Sequence, residues 1–289
     1  MQEEFSSSQT KSKGNTGTNE KEMRRPIMVK IFTQIFTTLI IAYVLIGCAT
    51  TQVSSVEEYP LRVGITPNYP PIIFKQDNNI AGVEADLANM LAKELKTRVQ
   101  FIQLAWENQI PALLEGKTDI IMSGMSVTKA REIRIAFADP YLKSGLIAAM
   151  RAKDIKKYSS KEDLLKSSST IAAVKDTTGH AFLERNFPNA TRKTSFGKAS
   201  DGAFELTRGS IDIFINDAPS IIWLVSENEA DLAGFWEPLD EEYLAWGLRK
   251  DDEAFLMQLN SILRKWKQDG TLDSILHRWL PDQYFKRLY

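Results

Sequence analysis

The chain has 289 residues, 43% of them hydrophobic and 25% charged, an ordinary globular composition with enough apolar material for one or two cores. Its formal net charge is -1 and it carries no long basic run, which excludes the electrostatic footprint of a nucleic-acid binder. Its one cysteine, Cys48, excludes an intrachain disulfide.

Residues 1–22 are polar and poor in aromatics; they read as a disordered extension or as sequence ahead of the true start, at Met23 or Met28. The apolar run Ile31 to Ile46 follows, preceded by Arg24, Arg25 and Lys30 and followed directly by Gly47-Cys48. Its 16 residues fall short of a membrane span, which needs about 20 to cross roughly 30 Å of hydrocarbon. The order basic, apolar, small is that of a signal peptide, placed over residues 23–47. Leu45-Ile46-Gly47-Cys48 looks like a lipobox, in which the cysteine thiol takes a diacylglycerol. Cys48 is therefore the expected lipidation site, with residues 48–59 as a tether and the rest outside the cytoplasm, in a periplasm or at a cell surface. A plain membrane anchor with an incidental cysteine is the alternative.

From Tyr59 onward short apolar runs alternate with longer helical patterns, the signature of an α/β protein built from βαβ units. LRVGI (61–65) reads as a strand. Glu84 to Leu95 carries Leu87, Met90, Leu91 and Leu95 on one helical face. RVQFIQL (98–104) is a second strand, Trp106 to Glu115 a helix ended by Gly116, and DIIM (119–122) a buried strand.

The second half repeats the theme. TIAAV (170–174) is a strand, Gly179 to Phe187 a helix stopped before Pro188, Ser200 to Arg208 a helix ended by Gly209, and IDIFI (211–215) a strand. LEGKTDII (114–121) and TRGSIDIF (207–214) share the order helix, Gly, two residues, Asp, apolar strand, so two similar lobes are expected. Gly145 to Met150 and Leu244 to Arg249 are apolar, extended and placed where the chain would cross between lobes. Residues 252–268 and 271–280 form two amphipathic helices that would return to the first lobe.

The segments RVGITPNYPP (62–71), AGVEADLANMLAKEL (81–95), IPALLEGKTDIIMSGMSVTKAREIRIAFADPYLKSG (110–145), AAVKDTTG (172–179), IDIFINDAP (211–219) and DGTLDSILHRWL (269–280) resemble, in order and spacing, the extracellular solute-binding proteins of family 3, which serve polar amino-acid ABC transporters. The resemblance spans nearly all of residues 60–280. It implies a two-lobed, type II periplasmic-binding-protein-like α/β fold, with residues 60–146 and 244–289 in one lobe and 147–243 in the other, a ligand cleft between them and a two-strand hinge. It further implies a monomer, without cofactor or metal, that binds a small polar amino acid and delivers it to an ABC permease and its ATPase.

A free amino acid offers a carboxylate, an ammonium and a side chain, so its site needs a cation fork, an anion and a shaped wall. Arg131, five residues after Ser126, has the planar guanidinium for a bidentate carboxylate contact, and the resemblance places the carboxylate-binding pair at these positions. Ser123 and Gly124 would approach the ligand through backbone. Asp217 is either a helix N-cap or the receiver of the ammonium, and the resemblance implies the second role. Thr177, Thr178 and Gly179 open a helix with free N–H groups; the resemblance points Thr178 and Gly179 at the ligand carboxylate and Lys175 at the ligand side chain. Tyr69 and Trp106 match an aromatic clamp, with Ile72 beside them. Thr66 and Ile72 depart from the pattern, since many members carry an acid and a phenylalanine there; without that acid Asp217 would neutralise the ammonium nearly alone.

The two histidines, His180 and His277, lie far apart and no metal-ligand or nucleophile motif is present. The competing reading is a periplasmic cyclohexadienyl dehydratase, acting on prephenate or arogenate on the same scaffold. It would require an acid in the cleft, for which Glu107 and Glu227 are the candidates. If Cys48 carries the anchor, Cys48→Ser moves the protein from the membrane fraction to the soluble fraction on cell fractionation; quantitative membrane retention of that variant would contradict it.

Overall fold

The computed structural model describes residues 59–288. The expected signal peptide over 23–47, Cys48 and the expected tether up to residue 58 lie outside the described residues. No helix among the described residues is long and apolar enough to cross a membrane.

In chain order the elements are β1 (Leu61–Ile65), β2 (Asn68–Tyr69), β3 (Ile73–Gln76), β4 (Asn79–Ala81), α1 (Val83–Glu94), β5 (Val99–Gln103), α2 (Gln109–Leu114), β6 (Ile120–Ile121), α3 (Lys129–Glu132), β7 (Ala136–Phe137) and β8 (Leu142–Arg151). They continue with α4 (Lys161–Leu165), β9 (Thr170–Val174), α5 (Thr178–Asn186), β10 (Arg192–Phe196), α6 (Ala199–Arg208), β11 (Ile213–Asp217), α7 (Ala218–Glu227), β12 (Leu232–Leu244), β13 (Gly247–Leu248), α8 (Glu253–Gln268), α9 (Thr271–Trp279) and α10 (Asp282–Leu288).

Two five-stranded sheets give the two lobes. The first has the order β5-β1-β6-β13-β7, with β1 parallel to β5 and β6 and β13 antiparallel; the second has the order β10-β9-β11-β8-β12, with β9 parallel to β10 and β11. A three-stranded sheet, β2-β3-β4, adjoins the first. Helices cover the parallel strands on both faces, which is why LRVGI and TIAAV are apolar nearly throughout instead of alternating.

The internal likeness has a structural counterpart. α2 and α6 each end at a glycine with positive φ, Gly116 at 70° and Gly209 at 80°. In both, the following N–H bonds five residues back, Lys117 to Ala112 and Ser210 to Glu205 at 2.9 and 3.0 Å, and the chain then enters β6 or β11. The helix expected over 106–115 is two pieces, a 3₁₀ turn at Trp106–Asn108 and α2. Pro111, lacking an N–H, is tolerated there only because it falls in the first turn of α2. β11 runs two residues later than its apolar stretch suggests, so Asp217 is its last residue.

The lobes are joined by the antiparallel pair β8 and β12, in register from Leu142↔Leu244 to Arg151↔Leu232 with a shift between Phe235 and Asp240. At the first-lobe end this pair is tied down by Tyr141 N–H to Leu244 O (3.0 Å), Val127 N–H to Tyr243 O (2.9 Å) and a bridge between Ser126 and Leu244. The two strands thus form the hinge.

α8 and α9 return to α1: Lys265 bonds Glu94 at 2.8 Å, while Arg278 and the Trp279 indole bond Asp86 at 2.7 and 2.8 Å. Beneath them Trp246, which is fully buried, meets Trp266 edge-on at 6.3 Å and Tyr141 in a stack at 6.1 Å. Tyr284 of α10 donates its hydroxyl to Lys143 O at 2.6 Å, fastening the C-terminal helices to β8. Trp246→Ala opens a cavity at this junction and is expected to cost about 3–5 kcal/mol in chemical denaturation; a loss below about 1 kcal/mol would show that the tryptophan cluster does not carry the first-lobe core.

Candidate ligand-binding site

A cavity of about 370 Å³ lies between the lobes, a size suited to a small organic molecule. Thr66, Tyr69, Trp106, Ser123, Gly124, Ser126 and Arg131 line it from the first lobe, and Lys175, Thr178 and Asp217 from the second. These residues sit at or after the C-terminal ends of β1, β5, β6, β9 and β11, where open α/β sheets bind ligands.

Arg131 is placed by α3. Thr128 caps this short helix, its hydroxyl accepting from Arg131 N–H at 3.2 Å, and the guanidinium donates to Ser126 O at 2.7 Å. The guanidinium carbon stands 5.2 Å from the Trp106 ring centroid, a cation–π arrangement that fixes the plane of the fork. Burial lowers the Arg131 pKa, and Asp217 and Glu242 oppose that shift, so the group remains cationic.

Asp217 occupies the N-cap position of α7, yet its side chain makes no capping bond. It accepts instead from the Tyr69 hydroxyl at 2.6 Å, a contact that crosses from one lobe to the other. Its other oxygen, Oδ1, is buried without a hydrogen-bond partner. Burial raises its pKa; the Tyr69 bond and the Arg131 charge pull it back. A buried carboxylate oxygen without a donor is costly, and an ammonium group would satisfy it.

The loop 123–126 is held from below. Gly124 has φ of 64°, and a Cβ there would lie 2.5 Å from Tyr69 Cε1, so only glycine lets the Tyr69 ring rest on this loop. Gly124 N–H donates to Glu84 Oε2 at 2.6 Å. Glu84 is fully buried at the start of α1, and burial pushes its carboxyl up to about 8 against the opposing bond from Gly124 N–H. Ser123 Oγ accepts from Thr66 N–H at 2.8 Å, and Thr66 Oγ1 accepts from Gln109 Nε2 at 2.9 Å, leaving the Thr66 hydroxyl proton available. Ile72 is buried under Gly124 and does not line the cavity.

On the second lobe Thr177 caps α5 and donates its hydroxyl to Val174 O at 2.7 Å, presenting Thr178 to the cavity. Gly179 does not line it: a Cβ there would sit 3.4 Å from Ile215 O and 3.6 Å from Leu146 Cδ2, against the second sheet. Lys175 is exposed at the rim, with Lys198 and Glu107. The Trp106 indole donates to Asp176 O at 2.9 Å, a second bond between lobes. His180 receives the Asp176 N–H on Nδ1 at 3.3 Å and does not line the cavity. Glu227 is exposed at the end of α7, away from the cavity.

One buried acid beside the site was not singled out by the sequence. Glu242 of β12 is only 7% exposed and accepts from Ser126 Oγ at 2.9 Å. Burial and the nearby Asp217 raise its carboxyl to about 7, while Thr178, Ser126 and Arg131 oppose that shift. Its signal was its phase: in an extended segment it shares a face with Leu244, two residues on, so it points inward.

Residues 61–282 match the family model for bacterial extracellular solute-binding proteins, family 3. ABC transporter arginine-binding protein 1 of Escherichia coli is 27% identical over 227 residues, covering 76% of this chain and 90% of that protein. A probable histidine-binding protein of Neisseria gonorrhoeae is 30% identical over 208 residues, covering 71% and 76%. Among solved structures, a binding component of an ABC transporter from Wolinella succinogenes, complexed with lysine, superposes with a TM-score of 0.74 at 29% identity, covering 78% of this chain and 98% of that one. The ancestral amino acid-binding protein AncCDT-1, a precursor of cyclohexadienyl dehydratase, superposes with a TM-score of 0.71 at 32% identity, covering 76% and 95%.

Gly124→Ala should destabilise the chain by about 2–3 kcal/mol, from positive φ and the Tyr69 clash together. Gly116→Ala, with similar φ but nothing within 4 Å of the new Cβ, is the control and should cost about 1 kcal/mol. Equal losses in thermal denaturation would remove the Tyr69 packing from the account.

Proposed function

The chain belongs to the bacterial extracellular solute-binding proteins, family 3, and from that membership we propose that it captures a small polar amino acid between its lobes and delivers it to an ABC permease and its ATPase. The observation that carries the proposal is that Asp217 on one lobe, with its Oδ1 buried and unpartnered, lines the same cavity as Arg131 on the other. These are opposite charges for the ammonium and carboxylate of one zwitterion.

In this reading the first lobe receives the ligand. Arg131 takes the carboxylate, with hydroxyl or backbone donors from Ser126 and Ser123, while Tyr69 and Trp106 form the walls. The second lobe then brings Asp217 to the ammonium and Thr178 to the carboxylate. Closure is favoured because the ligand meets both lobes only when they are together, and such differential contact is what shifts a conformational equilibrium. Lys175, Lys198 and Glu107 at the rim offer both signs of charge, which suits a polar side chain. A diacylglycerol at Cys48 would hold the monomeric receptor near its permease at the membrane. The relatives bind different amino acids, arginine, histidine and lysine among them, so identity of the ligand rests on measurement.

A receptor is favoured over a dehydratase by the relatives, whose names give amino-acid-binding proteins. Of the acids named for a dehydratase, Glu227 lies outside the cavity and Glu107 is exposed at its rim, while the buried Glu242 beside the cavity is the acid that a turnover control tests. Calorimetric titration with the twenty standard amino acids, with prephenate and arogenate as turnover controls, should give tight binding of one class without consumption. Arg131→Ala should then weaken that binding by about 2–5 kcal/mol, since it leaves the ligand carboxylate buried without its counter-ion. Near-normal affinity in that variant, or turnover of prephenate, would overturn the proposal.

A further inference from the structure

Ser126 and Thr178 both line the cavity, one from each lobe, and the Ser126 hydroxyl turns to a carboxyl group behind it, Glu242 on the hinge strand β12. A hydroxyl has a single proton to give. With Glu242 ionised, the Ser126 proton goes to Glu242 Oε2 at 2.9 Å. The Ser126 hydroxyl then faces the cavity as an acceptor. A carboxylate arriving at Arg131 needs donors there, and an acceptor beside it would be repulsive.

Protonation of Glu242 resolves the conflict. The acid can donate to the Ser126 hydroxyl and frees it to turn its own proton to the ligand. We propose that Glu242 is a positioning residue of the binding site, and that capture of a ligand carboxylate at Arg131 is coupled to uptake of one proton by Glu242. This inference rests on the amino-acid-binding reading and adds to it a second, obligate component of the bound state.

The charges around Glu242 support the direction of coupling. Asp217, at the end of β11, repels its ionised form, and Arg131, from α3, attracts it. Across the ladder stands Ser144 of β8, buried and uncharged. Lys143 and Glu241 pair with each other at 2.8 Å and flank the exposed side of β12, with Tyr243 donating to Glu241. When a zwitterion binds, its ammonium screens Asp217 and its carboxylate screens Arg131, and these two changes oppose each other. What remains is loss of the Ser126 bond to the ligand and removal of water on closure, both of which favour the neutral acid. Burial already pushes the carboxyl up to about 7, so the coupling falls in the physiological range.

The sign follows from linkage. A group whose pKa rises on binding takes up a proton; the associated affinity is fully present below the pKa of the free state and is lost as pH rises through the pKa of the complex. Titration calorimetry of the purified full chain, using the tightest binder among the twenty standard amino acids at pH 6.5, tests this. Affinity should fall at least about tenfold between pH 6.5 and 8.5, and parallel titrations at pH 8 in phosphate and Tris should report uptake of more than about half a proton per ligand. Glu242→Gln, which keeps the shape and carries its own permanent donor, should bind the same ligand with no proton uptake and a flat pH profile. Binding without proton uptake in the wild type, or an unchanged pH profile in Glu242→Gln, would overturn the coupling while leaving the receptor reading in place. Failure of all twenty amino acids to bind at either pH would overturn both. The proton count in the wild type does not depend on the variant's folding.

Discussion

Charge is buried between the two lobes, and most of the design follows from that. Arg131, Asp217 and Glu242 are brought together away from water, with two carboxyl groups to one guanidinium. Buried charges survive only when paired, hydrogen-bonded or neutralised by a proton. Asp217 has Tyr69 and the field of Arg131 but keeps one oxygen unpartnered; Glu242 accepts from Ser126, and burial pushes its carboxyl up to about 7. The site is thus incomplete by about one positive group and one set of donors, which describes an incoming ligand in negative.

The scaffold brings strand ends to the interface, with Arg131 added from the short helix α3 and Glu242 from within β12. Asp217 terminates β11, the 123–126 loop follows β6, and Lys175 with Thr178 follows β9. Each is backed by rigid packing. Glu84 in α1 holds Gly124 from beneath, and the absence of a side chain at Gly124 lets Tyr69 lie flat enough to reach Asp217. Glu84 itself is tolerable in the core because burial keeps it protonated up to about pH 8.

Much of this was legible in the chain. Apolar runs and glycine stops marked β1, β9, α6 and the helix–strand repeat, because buried parallel strands and helix C-caps leave local signals. Arg131, Asp217, Tyr69, Trp106 and Thr178 were legible through motif resemblance, and the cavity gathers them. Local signals failed where the determinant was long-range. Gly179 sits at a helix start that faces the ligand side, yet its own Cα is turned to the second sheet by α5 packing. Glu242 is one of three consecutive acids, Asp240 to Glu242, which in isolation read as a solvated edge; only pairing of β12 with β8 turns the third inward. The small sheet β2-β3-β4 was missed because its strands are two to four residues long, too short for periodicity to register.

The bonds that join the lobes, Tyr69 to Asp217 and Trp106 to Asp176 O, use no atom of a ligand. Escape of a bound molecule therefore requires their rupture together with loss of the molecule's own contacts. They add to the cost of opening a contribution common to every cargo, so they slow release of all ligands alike, while each ligand's own contacts set its relative rate. An interface closed partly by the protein's own bonds lengthens the stay of every solute it admits.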